Sequence, residues 1–182
     1  MYKNIGIVEF RSIAIGIGAV DTIVKASNVK IMDAKTICAG KYYIIFSGGV
    51  SEVKNSINQI ISEGETFIID YAQISNAYPE IFSAINQTSE INQLKAIGIV
   101  ETITSPSILI AADKALKASD IELVEVRIAR ALGGKNLCII NGEISAVKES
   151  ISEAIKYAQD KDFLVDYRVI ASPHADFYRA II

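Results

Sequence analysis

Two cysteines, one histidine and four recurring aspartates are the side chains of this 182-residue chain whose chemistry has to be settled first. Cys38 and Cys138 lie far apart and form no Cys-x-x-Cys pair, so neither a disulfide framework nor a metal site built within one chain is indicated. Cys138 falls in the run Asn136-Leu137-Cys138-Ile139-Ile140 and reads as a small hydrophobe in a strand. Cys38 stands at a strand end beside the turn Ala39-Gly40-Lys41, outside any obvious core position, and the residues alone favour a free, inert thiol over a ligand. His174, in Ser172-Pro173-His174, has no nucleophile or orienting acid nominated beside it, so it reads as a turn or contact residue and not as a general base. Asp21, Asp70, Asp113 and Asp166 read as solvating or hydrogen-bonding groups. Gly16-Ile17-Gly18 lacks the third glycine of a dinucleotide fingerprint, because Asp21 stands there. These glycines also fall inside a helix and not in the turn before it, which points to close packing of that helix.

The elements that carry these residues occur twice. Ile5-Gly6-Ile7-Val8-Glu9 returns as Ile97-Gly98-Ile99-Val100-Glu101, and Lys25-Ala26-Ser27 as Lys117-Ala118-Ser119. The offset between copies grows from 92 to 94, where Gly40-Lys41 meets Gly134-Lys135, and to 96, where Asp70-Tyr71 meets Asp166-Tyr167. Over three ungapped blocks 25 of 71 positions are identical, too many and too spread out for one shared helix or strand, so a whole domain is duplicated. Under this pairing Cys138 matches Ile44, Cys38 matches Arg130, and His174 matches Tyr78.

Within each copy the hydrophobic period changes in the same order. A short strand at 5–9 is followed by a helix over Ser12 to Ser27 with Ile13, Ile17, Val20 and Val24 on one face. Strands at 29–37 and 42–46 flank the turn at 39–41, and Ser47-Gly48-Gly49 breaks the chain before a helix at 51–62 with Val53, Ile57, Ile60 and Ile61 inward. A strand at 67–74, a short helix at 79–85 and a polar linker from Asn86 to Lys95 complete the copy. The order β-α-β-β-α-β predicts an α+β fold of two tandem ferredoxin-like domains, 1–90 and 91–182, each an antiparallel sheet covered on one side by helices.

Composition narrows the partners. Hydrophobic residues make up 51% of the chain and the mean hydropathy is +0.32, more apolar surface than one copy is expected to hide alone, so an oligomer is expected. A net charge of -3, a pI near 5.3 and scattered basic residues provide no field for nucleic acid. No apolar run approaches the ~20 residues that span a bilayer, and the strand-like start leads to the expectation of a cytoplasmic protein without a signal peptide.

The order IGIVE, KASN or KASD, a Gly-Lys turn, SGGVSEVK or NGEISAVK, and SPH resembles the shell domain of bacterial microcompartments, present twice and unpermuted from Ile5 to Ile182. That resemblance implies a trimer that imitates a hexamer, with six domains around a central pore, in a shell that encloses a metabolic pathway. Among tandem members, Thr36-Ile37-Cys38-Ala39-Gly40-Lys41 is similar to the propanediol-utilisation type, in which the matching cysteine binds an iron-sulfur cluster on the three-fold axis. It implies Cys38 as the metal ligand of one 4Fe-4S cluster shared by three chains, with Ala39, Gly40, Ala131, Leu132, Gly133 and Gly134 lining the pore. One iron would then remain open to another ligand, suiting electron transfer or cluster exchange across the shell. Lys25, Lys117 and His174 are implied as edge contacts between tiles. The implied partners are other shell proteins and an encapsulated or cytosolic redox protein; no catalysis, nucleic acid or membrane is implied. The chain departs from the family pattern at Ala39, which stands in place of proline and removes a backbone restraint, and at Tyr78, in place of histidine. Two other readings stay open: a tile with a bare metabolite pore, and a small-molecule-sensing tandem ferredoxin-like protein or cofactor enzyme.

Overall fold

The structure, a computed structural model, describes residues 4–86, 93, 95–129, 131–174 and 176–177. The chain divides into two units, the first holding described residues of 4–78 with 104–107 and 129–135, the second those of 79–103, 108–128 and 136–177. Most of the expected linker, including its division at 90 and 91, falls outside the described residues, as does Arg130.

In the first unit the order is β1 (Asn4–Phe10), α1 (Ile13–Ala26), β2 (Lys30–Ile37), a one-turn 3-10 helix (Cys38–Gly40), β3 (Lys41–Gly48), α2 (Val50–Gly64) and β4 (Ile68–Ser75). The strands form one antiparallel sheet in the order β2-β3-β1-β4. Alternation fixes the register: Val8, Phe10, Tyr42, Ile44 and Phe46 point to one face and meet Ala19 and Ile23 of α1 and Val53, Ile57 and Ile60 of α2. Ser12 caps α1 by accepting the Ile15 N–H at 3.3 Å, and Ser56, buried on α2, donates to the Ile23 carbonyl at 3.0 Å. The predicted break before α2 narrows to Gly49, since Ser47 and Gly48 complete β3.

The second unit holds α3 (Glu80–Ile85), β5 (Ala96–Thr102), most of α4 (Ser105–Ala118), β6 (Glu122–Arg127), β7 (Asn136–Gly142), α5 (Ile144–Asp160) and β8 (Leu164–Ile170). Its sheet has the matching order β6-β7-β5-β8. Details repeat at the offsets read from the sequence. Register slips fall at Glu9/Phe10 and Glu101/Thr102, and Ser150 donates to the Ala115 carbonyl as Ser56 does to that of Ile23. Helix α3 packs on β6, and its Ile81 and Ala84 are buried. Among the described residues no helix is long and apolar enough to cross a membrane.

Two expectations need correction. The face of α1 that meets the sheet is Gly16, Ala19 and Ile23, with Val20 half-buried; Ile13, Ile17 and Val24 are exposed. Small residues win that face because the helix lies tight on Tyr42: a Cβ at Gly16 would fall 2.6 Å from the Tyr42 ring. Close packing therefore explains Gly16 but not Gly18, whose missing side chain faces open space. Opposite signs follow for one substitution at the two sites. Gly16→Ala should cost about 1–3 kcal/mol by overpacking, and Gly18→Ala should gain about 0.5–1 kcal/mol in helix propensity, both read from urea midpoints; a gain at Gly16 would refute the packing.

Candidate functional site

Strand β2 ends at Ile37, and the next three residues turn so that β3 can return beside it. Ala39 and Gly40 both adopt the left-handed region, with φ of 63° and 70°. The Cys38 N–H donates to the Ala129 carbonyl at 2.9 Å, which brings the described residues of 129–135 against the turn. That segment has positive φ at Ala129, Ala131, Gly133 and Gly134 (37°, 56°, 62° and 89°), and the last value is one that L side chains rarely reach. Successive N–H groups in a turn of this kind converge on a common centre, the geometry of a backbone nest for anions.

The Cys38 sulfur occupies that centre. The Ala131 N–H donates to Sγ at 3.1 Å. The N–H of Leu132 above all, with those of Ala131, Gly134 and Gly133, holds the half-exposed thiol below its ordinary pKa, against an opposing push from desolvation. Cys138 is the contrast, since burial in β7 pushes its thiol up to about 12, as the strand-core reading requires. The structure thus collects Cys38, Ala39, Ala131, Leu132, Gly133 and Gly134 at one place, with Gly40 completing the turn.

The other nominated residues lie elsewhere. Lys25, near the end of α1, pairs with Asp21 at 2.5 Å on an open surface, and Lys117 near the end of α4 pairs with the largely buried Asp113 at 2.6 Å. His174 is exposed, its Nδ1 accepting the Asp176 N–H at 3.2 Å. Tyr78, its counterpart, is exposed as well.

Sequence reasoning missed the polar groups that anchor the turn. Glu9 has no exposed surface; its Oε1 takes Lys41 Nζ at 2.7 Å and its Oε2 the Ser105 N–H at 2.5 Å. Directly across the strand pair lies Asp70, whose Oδ2 accepts from the Thr104 hydroxyl at 2.7 Å and the Ser107 hydroxyl at 3.1 Å. Lys41 follows Gly40, so its ion pair pins the far end of the Cys38 turn to β1. The signal was present in IGIVE, a strand that repeats an acid inside an apolar run. Reading the aspartates as hydrogen-bonding groups holds for Asp70, although its burial was not foreseen.

The departure at Ala39 has a backbone reason. Proline's ring fixes φ near -65°, so a turn with φ of 63° at this position has no room for it. Ala39→Gly should stabilise by about 0.5–1 kcal/mol, since a left-handed alanine is strained. Ala39→Pro should lower the urea midpoint by more than Ala39→Gly raises it; equal tolerance of proline would mean a different turn.

A family model described as the BMC domain matches residues 4–77 and again 96–173. The chain is 34% identical over its whole length to bacterial microcompartment shell protein PduT of Citrobacter freundii, covering 99% of that protein. A solved structure of a microcompartment protein from Desulfitobacterium hafniense DCB superposes with a TM-score of 0.84 at 35% identity, over 98% of this chain and 99% of that one. Shell protein EutM of Salmonella typhimurium is 30% identical over 46% of this chain and 84% of its own length. With the domain matched twice and the same strand order found twice, the chain belongs to the BMC-domain family of bacterial microcompartment shell proteins as a tandem member.

Proposed function

We propose that this protein is a structural, non-catalytic tile of a bacterial microcompartment shell in the cytoplasm, a homotrimer in which three Cys38 thiolates meet at a central pore and hold one 4Fe-4S cluster. The observation that carries the reading is the nest of N–H groups around Cys38 Sγ. It favours the thiolate, the form that binds iron, and nests recur at iron-sulfur sites.

The donor set fits a cluster only when it is shared. Among the described residues no group of three or more His, Cys, Asp or Glu side chains could hold a metal within one chain. Three symmetry-related thiolates supply three of the four ligands that such a cluster takes and leave one iron for water or an external donor. The group would supply one-electron chemistry across the shell. The chain's own contribution is to keep each sulfur charged and fixed, and Ala39, Gly40, Ala131, Leu132, Gly133 and Gly134 then line the pore. Partners on this reading are other shell proteins of the same compartment and a redox protein on one side of it. On this reading Lys25, Lys117 and His174 lie at the tile edge, each with side-chain surface exposed.

Anaerobically reconstituted protein should approach about four irons per three chains, with matching sulfide, and Cys38→Ser should lose both while remaining a folded trimer. Cys138→Ser should keep the cluster at a cost of about 1–3 kcal/mol for a hydroxyl in an apolar strand. If wild type takes up no more iron than Cys38→Ser, the tile has a bare pore. For the edge, replacing Lys25 and Lys117 together by Asp should abolish incorporation into sheets or shells yet leave the trimer intact. Unchanged incorporation would return both lysines to simple solvation.

A further inference from the structure

The Cys38 sulfur takes its donors from its own chain. The Ala131 N–H reaches Sγ at 3.1 Å, and the N–H groups of Leu132, Gly133 and Gly134 act on it from the same segment. Both sides of this seat are tied down. The Cys38 N–H is held by the Ala129 carbonyl at 2.9 Å, and the Lys135 N–H closes the segment onto the Leu132 carbonyl at 3.1 Å. Lys41 turns its charge to Glu9 at 2.7 Å, so among the described residues the donors on the sulfur are backbone N–H groups.

Glycine matters to this path at one position above the others. Gly134 is buried with a φ of 89°, beyond the left-handed well at about 50–70° that other residues enter. Gly133, at 62°, lies inside that well, which Ala39 and Ala131 already occupy at 63° and 56°. Alanine therefore fits the backbone at 133 and not at 134.

A donor on a ligating sulfur acts on more than metal binding. The positive end of an N–H dipole interacts more strongly with a reduced cluster than with an oxidised one, because reduction adds a negative charge that spreads onto the sulfurs. Hydrogen bonds to sulfur are one of the ways in which a protein sets the potential of an iron-sulfur cluster. We propose that the segment 131–134 raises the reduction potential of the cluster, its four N–H groups acting through Cys38 to favour the reduced form. Ala131, Leu132, Gly133 and Gly134 are then positioning residues, and they work by main chain alone. The inference rests on the cluster reading above and goes beyond it, since there these residues only line the pore. Each Cys38 carries its own set of donors, so a cluster shared by three chains receives three sets, and one N–H removed per chain is felt three times. Only an electron moves: the oxidised cluster takes one from the reductant and returns it to the oxidant, with no bond made or broken.

The test is a dye-mediated potentiometric titration of anaerobically reconstituted protein, followed by electron paramagnetic resonance, with iron per three chains and the urea midpoint measured alongside. Exchanging Leu132 for its α-hydroxy acid replaces the N–H by oxygen and keeps the side chain. The midpoint potential should fall by a shift worth about tenfold in the oxidised-to-reduced ratio, about 59 mV for one electron. Gly134→Ala, which forces the segment off its path, should shift the potential in the same direction. Gly133→Ala adds the same methyl group where alanine fits, and it should leave the potential at the wild-type value. A full cluster with unchanged potential in the ester and in Gly134→Ala would overturn the tuning and leave the cluster standing. An equal shift in Gly133→Ala would assign the effect to added bulk and overturn it as well. Iron lost from the variants alone would mean that the segment holds the metal without tuning it, against the proposal, and a wild type that takes up no iron would overturn both readings.

Discussion

A carboxylate with no exposed surface must find its partners where it lies, and Glu9 is that group. Leaving such a charge uncompensated costs about 3–5 kcal/mol, so its two oxygens fix what surrounds them. One takes Lys41 at the exit of the Cys38 turn, and the other takes the Ser105 N–H at the start of α4. Strand, turn and helix start are tied to one side chain. The turn then has a defined path from Ile37 to Lys41, and it is that path which sets the sulfur among the N–H groups of 131–134.

Duplication explains why this arrangement can exist once per chain. Both repeats carry the glutamate, the aspartate opposite and a hydroxyl at the helix cap, but only the first carries a thiol in the turn. The second repeat supplies backbone in place of side chain, with Gly133 and Gly134 taking conformations that Ala39 and Gly40 echo across from them. One copy thus provides the thiol and the other the N–H groups around it.

The fold was legible because the repeat constrained it twice. Helix α1 was placed within a residue at each end by Ser12 and by the KAS motif, and the strand order followed from β-α-β-β-α-β. What was not legible was direction. The sequence of α1 alternates isoleucine with glycine and alanine, and hydropathy assigns the large residues inward. The close approach to Tyr42 reverses that choice, and nothing local announces a ring on a strand 26 residues away. The site was half legible in the same sense. Cys38 stood out as an unduplicated thiol outside any obvious core position, but the nest depends on φ values in a segment more than 90 residues on. The buried Glu9 was hidden because an acid in a strand reads as a solvent-facing residue until its partners are known.

The claim on which the rest depends is that backbone N–H groups hold the Cys38 thiol below its ordinary pKa. In freshly reduced, metal-free protein it can be measured alone, because Cys138 is buried with its thiol pushed up to about 12 and stays silent while the chain is folded. The measurement is the rate of iodoacetamide alkylation against pH, in the folded chain and again in urea. Since the fold favours the charged form, the folded titration should lie on the acid side of the unfolded one, with Cys38 modified at pH values where the unfolded thiol is still protonated. Coincident curves, or a folded curve shifted to the alkaline side, would contradict the account.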